Sequence, residues 1–271
     1  PLRMMELNPM RITALRQELL GDATPPPVQS TPDGLPNRPP VLCAGCSHRG
    51  VFYILAKLKA TVAGDIGCYT LGAFAPLSAM DTTICMGASI GSALGMEKAG
   101  MDGRIAAVIG DSTFLHSGIT GLLNVAYNRG TITTVILDNS ITAMTGHQKN
   151  PGSGTTITGA ETVTIDIAAI CRAVGIKRVC EVDAYNLAEL ERVLKEELDA
   201  PEASVVIAKG PCVIATKANV GATPYVVDPN KCTACGLCFK LGCPAILRGE
   251  AVGKRFKSAI DPAACIGCDQ C

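Results

Sequence analysis

The chain has 271 residues, balances 24 Lys and Arg against 24 Asp and Glu, is 48% hydrophobic but only 4% aromatic, and contains 14 Cys and no Trp. A zero net charge argues against nucleic acid as the main partner, because counterion release needs a basic surface. No apolar stretch reaches the roughly 18 uninterrupted residues of a membrane span, and no basic start with an apolar core and cleavage site marks the chain for export; a soluble, cytoplasmic protein with no membrane partner is expected.

So many cysteines in such a chain point to metal or redox chemistry rather than disulfides. Residues 1–20 end in Met10, Leu15 and Leu19 at helical spacing and read as the tail of an N-terminal domain outside this sequence. Between Thr24 and Pro40 there are seven Pro and almost no apolar residue, so 21–40 is a Pro-rich linker. From Val41 to Thr223 strands alternate with helices. Ile105–Ile109 reads as a buried strand, Thr113–Tyr127 as an amphipathic helix and Thr131–Leu137 as another strand. Ile165–Val174 and Leu187–Leu198 have helical spacing, with strands at Arg178–Val182 and Ser204–Ala208. The pattern predicts an α/β, doubly wound domain over 41–223. Beyond Pro224 the composition changes, and seven Cys announce a small cluster-stapled module over 224–271.

A strand ending in Gly110-Asp111-Ser112, then a helix, then a strand ending in Asp138-Asn139 is one βαβ unit. A right-handed crossover makes its strands parallel and brings Asp111 and Asn139 to the same carboxyl edge. Two oxygen-bearing side chains there, beside a glycine and a helix start, suit a hard divalent cation bridging to a diphosphate. Gly-Asp-Ser followed about thirty residues later by Asn is the thiamine diphosphate signature. The plainer alternative is a helix cap at Asp111 and a turn at Asn139. Met86-Gly-Ala-Ser-Ile-Gly91 opens another helix with Gly87 and Gly91 one turn apart, as close approach to a cofactor or a neighbouring helix requires.

In the tail, Cys232, Cys235, Cys238 and Cys243-Pro244, then Cys265, Cys268 and Cys271, repeat the bacterial iron–sulfur ligand run. The cysteine before Pro crosses to the other cluster, so Cys243, Cys265, Cys268 and Cys271 complete one [4Fe–4S] cluster. Cys232, Cys235 and Cys238 supply three thiolates to a second, whose fourth ligand is expected past residue 271. Zinc in paired sites is the alternative. Four residues rather than the usual three separate Cys238 from Cys243.

Cys43, Cys46, Cys68 and Cys212 each follow a Gly or Pro turn and could converge on one buried cluster, or on zinc, whereas Cys85, Cys171 and Cys180 lie in apolar segments and read as core. Of the three histidines, His147, just past Asn139, is best placed for an active site, and His116 reads as a helix-face residue.

These residues carry a resemblance. Val41–Gly50, with its Cys-Ala-Gly-Cys-Ser-His-Arg-Gly, Gly64–Gly72, Met80–Gly91, Gly110–Gly121 and Asp138–Gln148 resemble the C-terminal part of the α subunits of indolepyruvate:ferredoxin oxidoreductases, over nearly all of 41–271. The long gap before Cys243 is similar as well.

The resemblance implies thiamine diphosphate-dependent oxidative decarboxylation of an arylpyruvate, with coenzyme A as co-substrate, a β subunit as partner and ferredoxin as electron acceptor. It places Mg²⁺ on Asp111, Asn139 and the carbonyl of Ile141, and cofactor contacts on Gly67, Gly87, Gly91, Gly110, Ser112 and Thr145. A third [4Fe–4S] cluster falls on Cys43, Cys46, Cys68 and Cys212, and the tail becomes a ferredoxin-like (α+β) module. It also implies that the glutamate activating the cofactor comes from the missing N-terminal domain, so neither Glu97 nor Asp81 takes that role and the fragment alone is inactive. Rival readings are an oxidoreductase for pyruvate or 2-oxoglutarate, a pure electron-transfer subunit, which leaves Asp111 and Asn139 unused, and a non-oxidative decarboxylase, which has no use for the cysteine-rich tail.

Overall fold

The computed structural model describes residues 16–21, 39–216 and 223–271. The chain divides into two compact units, 1–39 and 40–271. Of the first, the described residues show a helical turn over 16–20, and the rest of the expected helix and linker lies outside the described residues.

The second unit is built on six strands: β1 (Thr61–Gly64), β2 (Thr82–Thr83), β3 (Ile105–Gly110), β4 (Thr133–Asp138), β5 (Arg178–Asp183) and β6 (Ser204–Lys209). They run parallel in the order β2-β1-β3-β4-β6-β5. The central strands β3, β4 and β6 are almost wholly buried, as their unbroken apolar runs require when helices cover both faces. On one face α1 (His48–Lys57) and α6 (Leu187–Leu198) close over Phe52, Leu55, Leu190 and Leu194. On the other lie α2 (Ala88–Lys98), a helix that starts as α3 (Asp111–Thr113), passes through a π-helical stretch Phe114–Gly118 and continues as α4 (Ile119–Tyr127), and α5 (Ile167–Ala173). They bury Ile90, Phe114, Leu122 and Cys171. Side chains of β4 alternate between these cores, Val135 and Leu137 on one side and Ile136 on the other.

Helix starts carry their own signals. Asp166 Oδ1 accepts from Ala169 N at 2.9 Å and Asn186 Oδ1 from Glu189 N at 3.2 Å, which fixes the first turns of α5 and α6. The chain visits β2 at one edge before returning to β3 on the other side of β1. The winding direction therefore changes between β1 and β3, and a crevice opens at their carboxyl ends. No helix among the described residues is long and apolar enough to cross a membrane.

The tail from Thr223 contributes an antiparallel pair, β7 (Ile246–Val252) and β8 (Arg255–Ile260), and a 3-10 turn at Cys238–Leu241. It packs directly on the α/β sheet domain. Gly45, in left-handed backbone just before α1, has Ile266 Cδ1 occupying the place where a Cβ would stand, and the Gln270 amide donates to Ala184 O at 3.4 Å. Close packing of the Ile266 side chain against a bare backbone is what glycine at 45 permits.

Candidate active site at the carboxyl edge

Gly110 of β3 stands level with Leu137 of β4, so Asp111 and Asn139 leave the sheet just beyond the last rungs of adjacent strands. Both are buried, at 3% and 9% exposure. Asp111 Oδ1 accepts from Ser112 N at 2.8 Å and Oδ2 from the Asn150 amide at 3.1 Å. Burial nevertheless pushes the carboxyl up to about 7, with the nearby Asp138 acting in the same direction against those two donors. A carboxyl held away from water without a cation is the electrostatic condition that a divalent ion relieves. The helix begins at Asp111, two residues earlier than the apolar periodicity places it, because Gly110 is extended and Asp111 already has helical backbone.

Asn139 is held at both ends. Its Oδ1 accepts from Ile141 N at 3.2 Å, and its Nδ2 lies 3.3 Å from His48 Nε2. Burial pulls His48 down to about 4, so the ring is neutral at ordinary pH and Nε2 accepts from the amide. That bond fixes the Asn139 oxygen on the Ile141 side. His48 in turn meets the Tyr69 ring edge-on, with centroids 6.0 Å apart.

Gly67, Gly110, Asp111, Ser112, Asn139, Ile141 and Thr145 line one cleft together with His48, Cys68, Tyr69 and Met86. Gly67 and Gly110 approach the same Tyr69 ring, whose Cε1 would collide with a Cβ on either of them. Their bareness thus serves that ring as well as the cleft. Ser112 Oγ accepts from Thr142 Oγ1 at 2.7 Å, tying the strand β3 edge to the loop after β4.

Gly87 and Gly91 stand outside the cleft lining. Gly87 is left-handed and packed against Ser117, and its N–H donates to Asp65 at 2.8 Å. Gly91 has open space where a Cβ would be. His147 is half-buried in left-handed backbone beside the Thr142–Gln148 bridge and does not line the cleft, while His116 is exposed on the π-helical stretch. Asp81 Oδ2 accepts from Val62 N and Glu97 Oε2 from Thr131 N, so both serve the scaffold.

The sequence reading passed over three residues of this neighbourhood. His48 hid behind its cysteine-rich flank. Asn150, 6% exposed, both supports Asp111 and caps the turn at Pro151–Ser153, and its place before Pro-Gly was a usable signal. Asp65, fully buried after β1, accepts from Gly87 and Ser89 N–H and thereby caps α2.

None of the fourteen cysteines is paired in a disulfide. Cys43 and Cys46 precede α1, Cys68 follows β1 and Cys212 follows β6; Ser47 Oγ donates to Gly210 O at 2.9 Å and draws the first pair to the end of β6. Their charges reach one another. Burial raises Cys46 to about 12, with Cys43 and Cys68 adding to the rise, and burial, Cys43 and Cys212 raise Cys68. In the tail, Cys243, Cys265, Cys268 and Cys271 line one cavity, and after burial their mutual repulsion raises Cys268 and Cys271. Burial and neighbouring thiols hold Cys46, Cys68, Cys268 and Cys271 against ionisation, a condition that a cationic metal centre relieves. Among the described residues no three His, Cys, Asp or Glu side chains close on a single-ion site. A cubane, which takes its ligands at separate corners, asks for a wider spacing.

Cys232 lies 3.6 Å from Ser258 Oγ, Cys235 is exposed and Cys238 opens the 3-10 turn. Cys171 is core, as expected, and Cys180 packs half-buried against the core on the opposite face of the sheet. Cys85 is not core: it is exposed, because the apolar run around it forms the loop before α2 rather than an internal element.

Residues 65–208, more than half of the chain, match the family described as thiamine pyrophosphate enzyme, C-terminal TPP binding domain. The chain is 40% identical over 259 residues to the indolepyruvate oxidoreductase subunit IorA of Pyrococcus abyssi, which covers 88% of this chain and 39% of that protein. It is 41% identical over 247 residues to the subunit of the same name from Archaeoglobus fulgidus, with 87% and 38% coverage. The chain thus spans about two fifths of the length of these curated relatives. Among solved structures, 2-oxoglutarate:ferredoxin oxidoreductase from Magnetococcus marinus shares the fold with a TM-score of 0.57 and 20% identity, over 65% of this chain and 66% of that one. A match spanning β3, β4 and the acidic and amide side chains at their ends leaves one conclusion: the chain belongs to the thiamine pyrophosphate enzymes and contains their C-terminal TPP-binding domain.

Proposed function

We propose that the chain is the cofactor-holding and electron-carrying part of a thiamine diphosphate-dependent 2-oxoacid oxidoreductase that decarboxylates arylpyruvates such as indolepyruvate, transfers the acyl group to coenzyme A and passes electrons through [4Fe–4S] clusters to ferredoxin. The observation that carries this reading is the buried Asp111 and Asn139 pair in the cleft at the carboxyl ends of β1, β3 and β4. Asp111, the Asn139 oxygen and the Ile141 carbonyl form a hard oxygen set suited to Mg²⁺. When bound, thiamine diphosphate supplies a nucleophilic carbon and an electron sink. This chain's residues do the rest: neutral His48 holds the Asn139 amide in one orientation, Asn150 holds Asp111, and Ile66, Met86 and Met144 line the cleft with apolar surface that limits water.

Cys68 lines this cleft and belongs to the first thiol group, which favours a cluster on Cys43, Cys46, Cys68 and Cys212 next to the cofactor seat. Cys243, Cys265, Cys268 and Cys271 suit a second cluster, and Cys232, Cys235 and Cys238 a third in a ferredoxin-like tail. A groove beside exposed Cys235 is lined by Arg248, Lys254 and Arg255 and by no carboxylate, which fits an acidic electron carrier such as ferredoxin. The thiols suit a reducing cytoplasm.

The test uses the complete polypeptide with its partner subunit, purified without oxygen. Indolepyruvate with coenzyme A is expected to reduce ferredoxin with higher kcat/KM than pyruvate or 2-oxoglutarate does. Ferredoxin reduction that runs equally well without coenzyme A, or a preference for a small aliphatic 2-oxoacid, overturns the corresponding part of the reading.

A further inference from the structure

Arg49 is a buried cation placed between two groups of thiols. It lies on the first turn of α1 and is 2% exposed. Its guanidinium is held by main-chain oxygens from two distant parts of the chain: Nη1 donates to Leu241 O in the tail at 2.8 Å, and Nη2 donates to Cys43 O at 3.1 Å and to Leu42 O. No carboxylate pairs with it among the described residues, and its Nε–H has no acceptor. Arg49 lines the cavity that Cys243, Cys265, Cys268 and Cys271 also line, and the charges of Cys43 and Cys46 reach it as well as those of Cys243 and Cys268. A guanidinium stays charged at any working pH, so the fold keeps a positive charge in its interior with no carboxylate beside it among the described residues. Interiors tolerate such a charge where an opposite one faces it.

We propose that Arg49 is the electrostatic link between two iron–sulfur clusters, one on Cys43, Cys46, Cys68 and Cys212 and one on Cys243, Cys265, Cys268 and Cys271, and that it raises the reduction potential of both. The inference rests on the cluster reading given above. Reduction adds one negative charge to a thiolate-bound cubane, and a fixed cation in a poorly screened interior stabilises the reduced form more than the oxidised one. An Nε–H with no acceptor of its own is available to a cluster sulfur, and such a bond would also raise the potential. The fork geometry adds a second effect: one planar group bonded to both Leu241 and Cys43 main chain ties the tail to the sheet domain and fixes the separation an electron must cross. Arg49 is thus a positioning residue.

The experiment compares unaltered complete enzyme with Arg49→Gln, which keeps donors but no charge, and Arg49→Lys, which keeps the charge but not the fork. Iron and sulfide content are measured, and the cluster midpoints are followed by EPR during anaerobic redox titration. Absence of cluster iron from the unaltered enzyme refutes the cluster reading itself, before any variant is considered. With clusters present, two midpoints in Arg49→Gln are expected at lower potential, and Arg49→Lys is expected to restore most of the change. Loss of a cluster from Arg49→Gln, with both retained at near-native midpoints in Arg49→Lys, also supports the need for charge. Unmoved midpoints in fully loaded Arg49→Gln overturn the proposal. So do midpoints in Arg49→Lys as low as those of Arg49→Gln, and so does cluster loss from both variants, which reduces Arg49 to a structural clamp.

Discussion

Replacing Asp111 with Asn separates the folding role of this side chain from its ligand role. In the ligand-free protein, burial moves the carboxyl from 3.8 to about 7. The folded chain then keeps a proton that the unfolded chain has already lost, so stability falls as pH rises between those values and the whole penalty is present above them. Across that interval, at about 1.4 kcal/mol per pH unit, the penalty is on the order of 4 kcal/mol near pH 8. Asn carries no such penalty. Its amide nitrogen would face the Asn150 amide that now donates to Asp111 at 3.1 Å, and the lost bond costs about 1–1.5 kcal/mol. The balance makes Asp111→Asn more stable than the ligand-free parent by roughly 2–3 kcal/mol near pH 8, a Tm gain of about 5–10 °C, and slightly less stable near pH 4. Mg²⁺ with thiamine diphosphate reverses the order at high pH, because the parent gains by mass action whatever the ligand binds with, and the variant lacks the carboxylate that holds the cation. Scanning calorimetry of both proteins in chelator at several pH values, then with Mg²⁺ and cofactor, reads every part of this. A variant that melts below the parent near pH 8 in chelator refutes the buried-charge argument. A variant that gains as much as the parent from Mg²⁺ and cofactor removes Asp111 from the ligand set.

His48→Leu takes away the acceptor for the Asn139 amide and is expected to weaken Mg²⁺-dependent cofactor binding about 10–100-fold, as loss of supporting partners does at metal sites; undiminished affinity by titration calorimetry contradicts the orienting role. Charge reversal at Arg248, Lys254 and Arg255 is expected to raise KM for ferredoxin and flatten its salt dependence, while reduction of a small viologen dye stays unchanged. Loss of dye reduction as well would mean that the groove supports the clusters rather than the carrier. In the core beneath α6, fully buried Leu190 reduced to Ala should cost about 2–5 kcal/mol in urea unfolding, and a cost under about 1 kcal/mol would show that the helix is less tightly packed than it stands here.

The α/β architecture was legible because its strands are buried on both faces and its helices are amphipathic. Ile105–Ile109 and Ser204–Ala208 read as apolar strands, each of which the structure extends by one residue, to Gly110 and Lys209, and Leu187–Leu198 begins and ends where its periodicity places it, with Asn186 supplying the cap. Less visible were the short edge strand Thr82–Thr83, which has too few residues for a period, and the π-helical stretch Phe114–Gly118, whose extra residue per turn leaves no mark in an otherwise helical pattern. Pattern reading also mistook Cys85 for core, since neighbours such as Ile84 and Met86 are apolar yet exposed at 72% and 49%.

The site divides along the same physical line. Asp111 and Asn139 were legible because parallel pairing with a short crossover dictates where strand ends meet, and that geometry follows from local sequence. Their supports were not, because each depends on a contact across the fold: His48 reaches Asn139 across 91 residues, Asn150 reaches Asp111 across 39, and Arg49 reaches Leu241 across 192. Nothing in the spacing of Cys-Ser-His-Arg-Gly announces that its His faces the cofactor cleft while its Arg faces the tail. On the first turn of α1, however, successive side chains point about 100° apart. One turn of helix therefore reaches the cleft at the sheet edge with one residue and, in the proposed function, the path by which electrons leave it with the next. A change at either is then expected to be read out at a different centre, metal and cofactor for His48 and, on the proposed cluster reading, cluster potential for Arg49, while Val51, Phe52, Ile54 and Leu55 of the same helix fill the core.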